Sequence, residues 1–515
     1  MKKWLLISAP VLVLFTLFVV TGFRGVDYGD HWDEVPWHID HARAMVNSGL
    51  FLPRSYIYPS LSKWLVLLPT LPSAIATALA TRGDPVPIQA AMTAVTQAPD
   101  FLLTAREVFI VVSGLTMVWL YSAVLVLRRG IFEATVAACC MGLSWEFAYH
   151  SRWVANDCVL AQFVALMLLA LALFRRFRQD RWLYLAAAAV GAATGAKQPG
   201  VFLLVTVLLT SILSLPLKDW RRQIPRLTGI CAVSFAVFVA TTPGVLLDPF
   251  AFLRDARLIS TVYGAGHGQF TASGPIQHWL WVITYLTVEF FSPFHLVSVL
   301  MAACAVFGGV MWTRRDFRFA LPLLVFPLLF LGIFCSKYVV MIARNYLQIP
   351  PIMSLFAARG ISELFIWLKN RWARRALSLA LAGVALAQAV WLVTSAESIR
   401  HYDPKAYVRQ AIAYVARHPK EQFRISPQVR KIARQEHLVL PPNAVTAPLG
   451  QAVVMFGRAE MGDPGLYKEN DPWLTDAIFG PREVNFNWYA VWGGRDRVVV
   501  MPIAKARAGA VPMAR

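Results

Sequence analysis

The sequence predicts an all-α polytopic membrane protein of about eleven transmembrane helices plus interfacial helices, followed by a small extracytoplasmic α/β domain of roughly 115 residues. Three observations carry that prediction. Hydrophobic residues make up 57% of the 515 and charged residues only 15%, with a mean hydropathy of +0.53, whereas soluble domains of this total length need charged surfaces. Long apolar runs recur from Trp4 to Thr394. Beyond residue 397 the composition turns polar, Pro-rich in places, with no long apolar run.

Apolar length and periodicity place spans at 4–22, 104–127, 131–149, 154–174, 182–196, 199–216, 227–243, 293–312, 319–336, 344–366 and 375–396. Two further apolar runs, 59–80 and 276–291, are ambiguous, and the basic clusters decide between the options. With neither run crossing, Arg128-Arg129, Arg175-Arg176-Arg178, Lys218-Arg221-Arg222, Arg314-Arg315-Arg318 and Lys369-Arg371-Arg374-Arg375 all share the side of Lys2-Lys3, as cytoplasmic loops do. If 59–80 crosses alone, most later clusters flip outward. Both runs are therefore read as helices lying in, or dipping into, the outer leaflet, with a compensating pair of crossings as the alternative.

The formal charge of +20 does not signal nucleic acid. The charges sit in short clusters between apolar runs, where they meet anionic lipid headgroups. Lys2-Lys3 and the apolar run to Val20 look like a signal peptide, but Thr21-Gly22-Phe23-Arg24 offers no small-x-small cleavage site, so the run is read as an uncleaved first helix. The six cysteines all lie in apolar segments and imply no disulfide framework or thiolate metal site. The expected arrangement is a membrane module, 1–396, with outer loops 23–103 and 244–292, and an extracytoplasmic domain, 397–515, in a bacterial inner membrane with the N-terminus in the cytoplasm. Short basic cytoplasmic loops leave no room for a nucleotide-binding domain, and no Walker-type loop is present, so any chemistry belongs on the outer face.

The densest polar stretch near the membrane runs from Asp30 to Arg43 and holds Asp33-Glu34. Trp37, Ala44, Met45 and Gly49 then fall near helical spacing, which predicts a short interfacial helix with Pro36 in its first turn. In the plainest reading Asp33 caps that helix and Glu34 complements its dipole. A metal site from His31, His38 and His41 with the two acids is weaker, since no cysteine or second acidic cluster supports it; a divalent ion is not called for.

The surrounding residues favour a site. Asp33-Glu34 is followed by Met45-Val46-Asn47-Ser48-Gly49, Pro53 and Tyr58-Pro59-Ser60-Leu61, then by Arg106 at the head of the next span. Later come Arg152 with Asp157, Gly195-Ala196-Lys197, and Arg344-Asn345-Tyr346-Leu347-Gln348-Ile349-Pro350. This layout, over about residues 1–365, resembles the GT-C membrane glycosyltransferases, in the group of protein O-mannosyltransferases and bacterial aminoarabinose transferases. The resemblance implies a GT-C-like fold and an inverting transfer of a sugar from a polyprenyl-phosphate carrier to a lipid, glycan or protein acceptor outside the cytoplasm, with membrane lipids as the remaining partners. It implies Asp33 as the base and Glu34 as its neighbour.

Charge growing on a departing phosphate calls for cations near the outer surface. Lys63, Arg106, Arg152, Lys197 and Arg344 are the candidates, with Lys337 a further neighbour. Cations also snorkel at helix ends without any role, but Lys197 and Arg344 stand beside apolar spans at the outer edge, against the usual bias. Two departures from the group are visible: Tyr58 precedes the first-loop proline where aminoarabinose transferases have Lys, and Asn345 stands where a second basic residue is frequent. Tyr58, Asp157 and His267 are acceptor-side or structural candidates; Asp157 is equally an ion-pair partner or cap, and His267 lies in a glycine-rich outer loop.

In the tail, Tyr407 to His418 predicts an amphipathic helix and Val498-Val499-Val500-Met501 a buried strand. Gly480 to Tyr489 is polar-aromatic, as in carbohydrate-contacting surfaces or an ordinary small sheet, and residues from Lys505 onward read as disordered. Two rival functions fit the same sequence. A transporter or flippase of lipid-linked sugars would favour mid-span charges and internal repeats; a glycan ligase or polymerase of similar architecture would keep outer-leaflet catalysis with other substrates.

Overall fold

The structure is a computed structural model that describes residues 2–27, 33–154, 156–215, 220–266, 270–400, 404–445, 452–456, 477–479 and 498–502. The chain divides into two compact units, Met1–Ala396 and Glu397–Arg515.

Among its described residues the first unit is mostly helical. α1 (Lys2–Arg24) leads to a π-helical turn (Val35–Ile39) that continues into α2 (Asp40–Ser48). α3 (Leu61–Val66) and α4 (Leu71–Ala80) are joined by a 3-10 turn at Leu68–Thr70. α5 (Pro85–Gln97) then precedes the long α6 (Phe101–Arg128). Next come α7 (Ile131–Gly142), α8 (Trp145–Ser151), α9 (Asn156–Phe177), α10 (Arg181–Ala196) and α11 (Leu204–Ser214). α12 (Trp220–Thr241), α13 (Gly244–Leu247), α14 (Pro249–Ala265) and α15 (Pro275–Thr284) follow. α16 (His295–Arg315), α17 (Phe317–Lys337), α18 (Pro350–Trp367) and α19 (Arg371–Arg400) complete the unit.

Among the described residues, eight helices are long and apolar enough to cross a membrane, and the pair α7–α8, bent by 57° at Ser144, makes a ninth if counted as one span. Seven of the eight are expected spans; the other is Leu61–Ala80. The remaining expected spans fall short for visible reasons. α10 has 16 residues and α11 has 11, while α18 is diluted by Arg359 and Glu363, which pair with each other inside the bundle.

The path of α3 to α5 bears on the ambiguous run. The chain enters it beside the first outer segment, where Lys63 bonds the Tyr58 and Ser55 carbonyls. It leaves where Arg43 Nε donates to Thr96 O at 2.9 Å, and α4 packs back on α5. The 13 residues of α5 reach about 20 Å, short of a hydrocarbon core of about 30 Å. The excursion therefore starts and ends at one end of the bundle.

Two helix crossings are closed to backbone contact by glycine. A Cβ at Gly191 would lie 2.3 Å from Ser234 O, and one at Gly195 would lie 2.1 Å from Thr241 Oγ1, which seats α10 on α12. At Gly308 it would meet Phe356 O at 2.0 Å and at Gly360 the Cys304 carbonyl at 2.0 Å, which seats α16 on α18. Small residues four apart, as at 191 and 195, allow such approach where no water drives association.

In the second unit, α20 (Pro404–Arg417) and α21 (Pro427–Gln435) belong with a five-stranded sheet. Its strands are β1 (Phe423–Ile425), β2 (Ala444–Val445), β3 (Ala452–Phe456), β4 (Ala477–Phe479) and β5 (Val498–Pro502), in the order β2-β1-β3-β5-β4. β1 runs parallel to β2 and β3; β5 runs antiparallel to β3 and β4. Val408, Ala411 and Val415 of the expected amphipathic helix pack with Phe423, Val454, Val498 and Val500. Gly480 to Tyr489 and the residues from Lys505 onward lie outside the described residues.

Candidate active site

The acidic pair splits its tasks. Glu34, fully buried, accepts from Arg106 Nε at 2.9 Å and from Arg106 Nη2, and its Oε1 also accepts from the Val154 amide at 2.7 Å. Arg106, equally buried, spends Nη1 on Val26 O at 2.8 Å. One bidentate pair thus ties the segment after α1 to the head of α6 and to the turn before α9.

Asp33 faces another way. It is 2% exposed, and its Oδ2 accepts from the Tyr58 hydroxyl at 3.1 Å and from Arg344 Nη2. That oxygen therefore serves side chains 25 and 311 positions away, contacts that a helix cap alone would not need. The π-turn also shifts the expected apolar face. One extra residue per turn moves the pattern forward, so His38, Ile39, Ala42, Met45 and Val46 are buried while Ala44 is exposed.

Tyr58 is held at three points. Its ring stacks on His38 at 5.1 Å, its carbonyl accepts from Lys63 Nζ at 2.5 Å, and its hydroxyl donates to Asp33. Burial, reinforced by the nearby Asp33 charge, raises the phenol well above its usual range, so it stays a neutral donor. Burial, with Lys63 and Arg344 adding positive charge, pushes the His38 imidazole well below its usual range; its Nδ1 sits 3.2 Å from Ser62 Oγ.

Arg344 is delivered from the far end of the chain. A short antiparallel bridge, Thr271 to Val340, and the bond from Met341 N to Phe270 O at 2.8 Å bring the chain in from the second outer loop. A 3-10 turn at Ala343–Tyr346 follows, pinned where the Tyr346 hydroxyl meets His278 Nε2 at 2.5 Å. The guanidinium lies over the Trp153 ring at 4.6 Å and its Nε is 3.7 Å from Asp157 Oδ2. Asp157 in turn receives Lys197 Nζ on Oδ1 at 2.5 Å, and the same ammonium donates to Asn345 Oδ1 at 2.6 Å. Lys197 stands just past the end of α10, where Asn156 Nδ2 secures the Ala196 carbonyl at 3.0 Å. The result is a file of alternating charge, Asp33–Arg344–Asp157–Lys197, all buried.

The structure thus joins Asp33, Tyr58, Asp157, Lys197 and Arg344 in one site. Arg106 belongs to Glu34, Lys63 braces the Tyr58 loop, and Arg152 lies 4.8 Å over Trp145 with Nη2 on Thr21 O at 3.3 Å. His267 lies outside the described residues. Sequence reasoning missed four contributors: His38 as the stacking partner of Tyr58, Trp153, Tyr263, whose hydroxyl accepts from Asn345 Nδ2 at 3.1 Å, and His278. None stands at a spacing that marks it. Asn345 was visible as a departure from the group's basic step, but its bond to Lys197 was not.

Residues 87–243 match the family model for dolichyl-phosphate-mannose-protein mannosyltransferase; the match includes Arg106, Arg152, Asp157 and Lys197. Among solved structures, ArnT from Cupriavidus metallidurans bound to undecaprenyl phosphate aligns at 14% identity and TM-score 0.44, over 97% of this chain and 98% of that one. Its apo state gives 15% and 0.45, over 98% and 99%. The S. cerevisiae protein O-mannosyltransferase Pmt1-Pmt2 complex bound to the sugar donor aligns at 18% and 0.29, over 49% of this chain and 33% of that one. No curated protein matches in sequence. Over residues 87–243 the chain is thus similar to the dolichyl-phosphate-mannose-protein mannosyltransferases, a family of membrane glycosyltransferases.

Proposed function

We propose that this protein is an inverting glycosyltransferase that moves a sugar from a polyprenyl-phosphate carrier to an extracytoplasmic acceptor, with Asp33 as the base. The observation that carries the reading is the buried contact of Asp33 with Arg344 and Tyr58 in one file with Asp157 and Lys197. The acceptor oxygen bonds to the anomeric carbon from the face opposite the phosphate while the carbon–oxygen bond to phosphate breaks. The proton goes to the Asp33 carboxylate and the electron pair leaves with the phosphate. Phosphate is already a weakly basic leaving group, so no second carboxylic acid is needed, unlike glycoside hydrolysis.

Arg344 and Lys197 are the cations placed to meet the growing charge. A donor phosphate drawing the Arg344 guanidinium toward itself loosens its hold on Asp33, and that couples donor arrival to a base free to act. Tyr58 keeps the carboxylate aimed meanwhile. Glu34 and Arg106 act as a brace beneath this site. The N-terminus belongs in the cytoplasm and the site outside it, in keeping with the basic clusters at the opposite helix ends.

The test is transfer from purified polyprenyl-phosphate sugars by the wild type and Asp33→Asn. The amide holds the shape but takes no proton, so the turnover rate should fall by about 10²–10⁴. An Asn variant with full activity, or a wild type inert across a broad donor panel, would overturn the mechanism.

A further inference from the structure

At the bundle end opposite Asp33 lies a cavity of about 520 Å³ walled by Arg128, Arg129, Arg175, Arg176, Arg315 and Arg359. Arg106 and Arg128 stand 22 positions apart on α6, a rise of about 33 Å, so the cavity and the candidate active site are separated by a bilayer thickness. The C-termini of α6, α9 and α16 converge here, which suits arginine side chains.

Part of this charge is already matched. Arg315 holds Glu363 through two bonds, at 2.5 and 2.8 Å, and Arg175 Nε donates to Asp316 at 2.8 Å. Arg359 gives Nη2 to Glu363, while its buried Nη1 makes no hydrogen bond among the described residues and faces Glu133 Oε2 only at 3.6 Å. Six guanidinium groups thus meet three carboxylates, Glu133, Asp316 and Glu363, leaving three positive charges in excess around a space of ligand size. Basic loop residues need only sit in water to set topology; these surround a cavity, and their carboxylate partners are fewer than they are.

We propose that this cavity is a binding site for a phosphate-bearing anion, independent of the transfer site. Guanidinium forks match phosphate oxygens two at a time. Val126, Leu127, Trp312 and Phe319 supply an apolar wall beside the arginines, so the group held is the headgroup of an anionic phospholipid of the cytoplasmic leaflet, its glycerol and first acyl carbons against that wall. A free phosphate shares the polar half of this chemistry.

The experiment uses the full chain in neutral detergent, with the thermal unfolding midpoint followed against added phosphatidylglycerol, phosphatidylcholine or inorganic phosphate. Phosphatidylglycerol is expected to raise the midpoint saturably and phosphatidylcholine to leave it unmoved. Arg129→Gln/Arg176→Gln removes two exposed cations that hold none of the three carboxylates and should shift half-saturation roughly 30-fold higher. The matching double Lys variant keeps the charge and should retain most of the effect, which separates lost binding from lost folding. Stabilisation by inorganic phosphate as well would assign the site to phosphate in either form; stabilisation by phosphatidylglycerol alone would assign it to lipid. Equal stabilisation by phosphatidylcholine, or an unchanged half-saturation in the Gln variant, overturns the site.

Discussion

Neutralising Glu34 while keeping its shape should damage stability where the same change at Asp33 damages turnover. Glu34 accepts three hydrogen bonds at zero exposure, two from Arg106 and one from the Val154 amide. In Glu34→Gln one oxygen becomes an NH₂ group, which must face either a guanidinium or a backbone N–H, a donor against a donor. The Arg106 guanidinium then loses its buried countercharge and one of the two carboxylate oxygens that accept from it. Breaking one side of a buried pair costs about 3–5 kcal/mol, on the order of 10 °C in unfolding midpoint at the 2–4 °C per kcal/mol of mid-sized domains. The assay is thermal unfolding of the purified protein in detergent, beside Asp33→Asn. Replacing both partners, Glu34→Leu with Arg106→Met, removes the stranded charge and should recover much of the loss. A Glu34→Gln protein as stable as wild type, or a double variant no better than the single one, refutes the brace.

Three further outcomes follow from the same geometry. Tyr58→Phe removes the hydroxyl that aims Asp33 and leaves the His38 stack in place, so turnover should drop roughly ten-fold, about the worth of one hydrogen bond, with the unfolding midpoint little changed. Gly360→Ala drives a methyl to 2.0 Å from the Cys304 carbonyl, and overpacking of about 1–3 kcal/mol should lower the midpoint by several degrees, whereas alanine at Gly332, which meets nothing within 4 Å, should not. His38 has a folded-state pKa below its ordinary 6.5, so the folded protein binds its proton less well than the unfolded chain does. Its contribution is intact above about 6.5 and declines as pH falls from there toward the lowered value; midpoints measured across that window should fall less steeply in His38→Gln than in wild type.

How much of this was legible beforehand depends on the range of the interaction. Helices announce themselves by apolar runs, and the spans from Phe101 to Arg128 and from Asn156 to Phe177 appear within a few residues of their expected limits. Lys197 and Arg344 stood out because cations at the outer ends of apolar spans go against the topological bias. Their partners did not stand out: Asp33 meets Arg344 across 311 positions and Lys197 meets Asn345 across 148, and no local spacing encodes such pairs. Glu34 illustrates the same limit, since two adjacent acids are equivalent in sequence and only packing sends one to Arg106. The shift of the buried face after Asp33 came from a five-residue π-turn, which a 3.6-residue period cannot anticipate.

The glycine-closed crossing of α10 on α12 bears on how precisely Lys197 is set. Gly195 faces the Thr241 side chain two residues before that ammonium, and that hydroxyl, held on the Val237 and Phe238 carbonyls, would have to give way to an added methyl. Alanine at 195 would lever the end of α10 outward and carry Lys197 off its 2.5 Å bond to Asp157, though the substituted atom never touches either residue. On the proposed role of Lys197, such a variant would lose alignment at the site beyond the modest loss of stability that overpacking brings, though no group that meets the substrate has been changed.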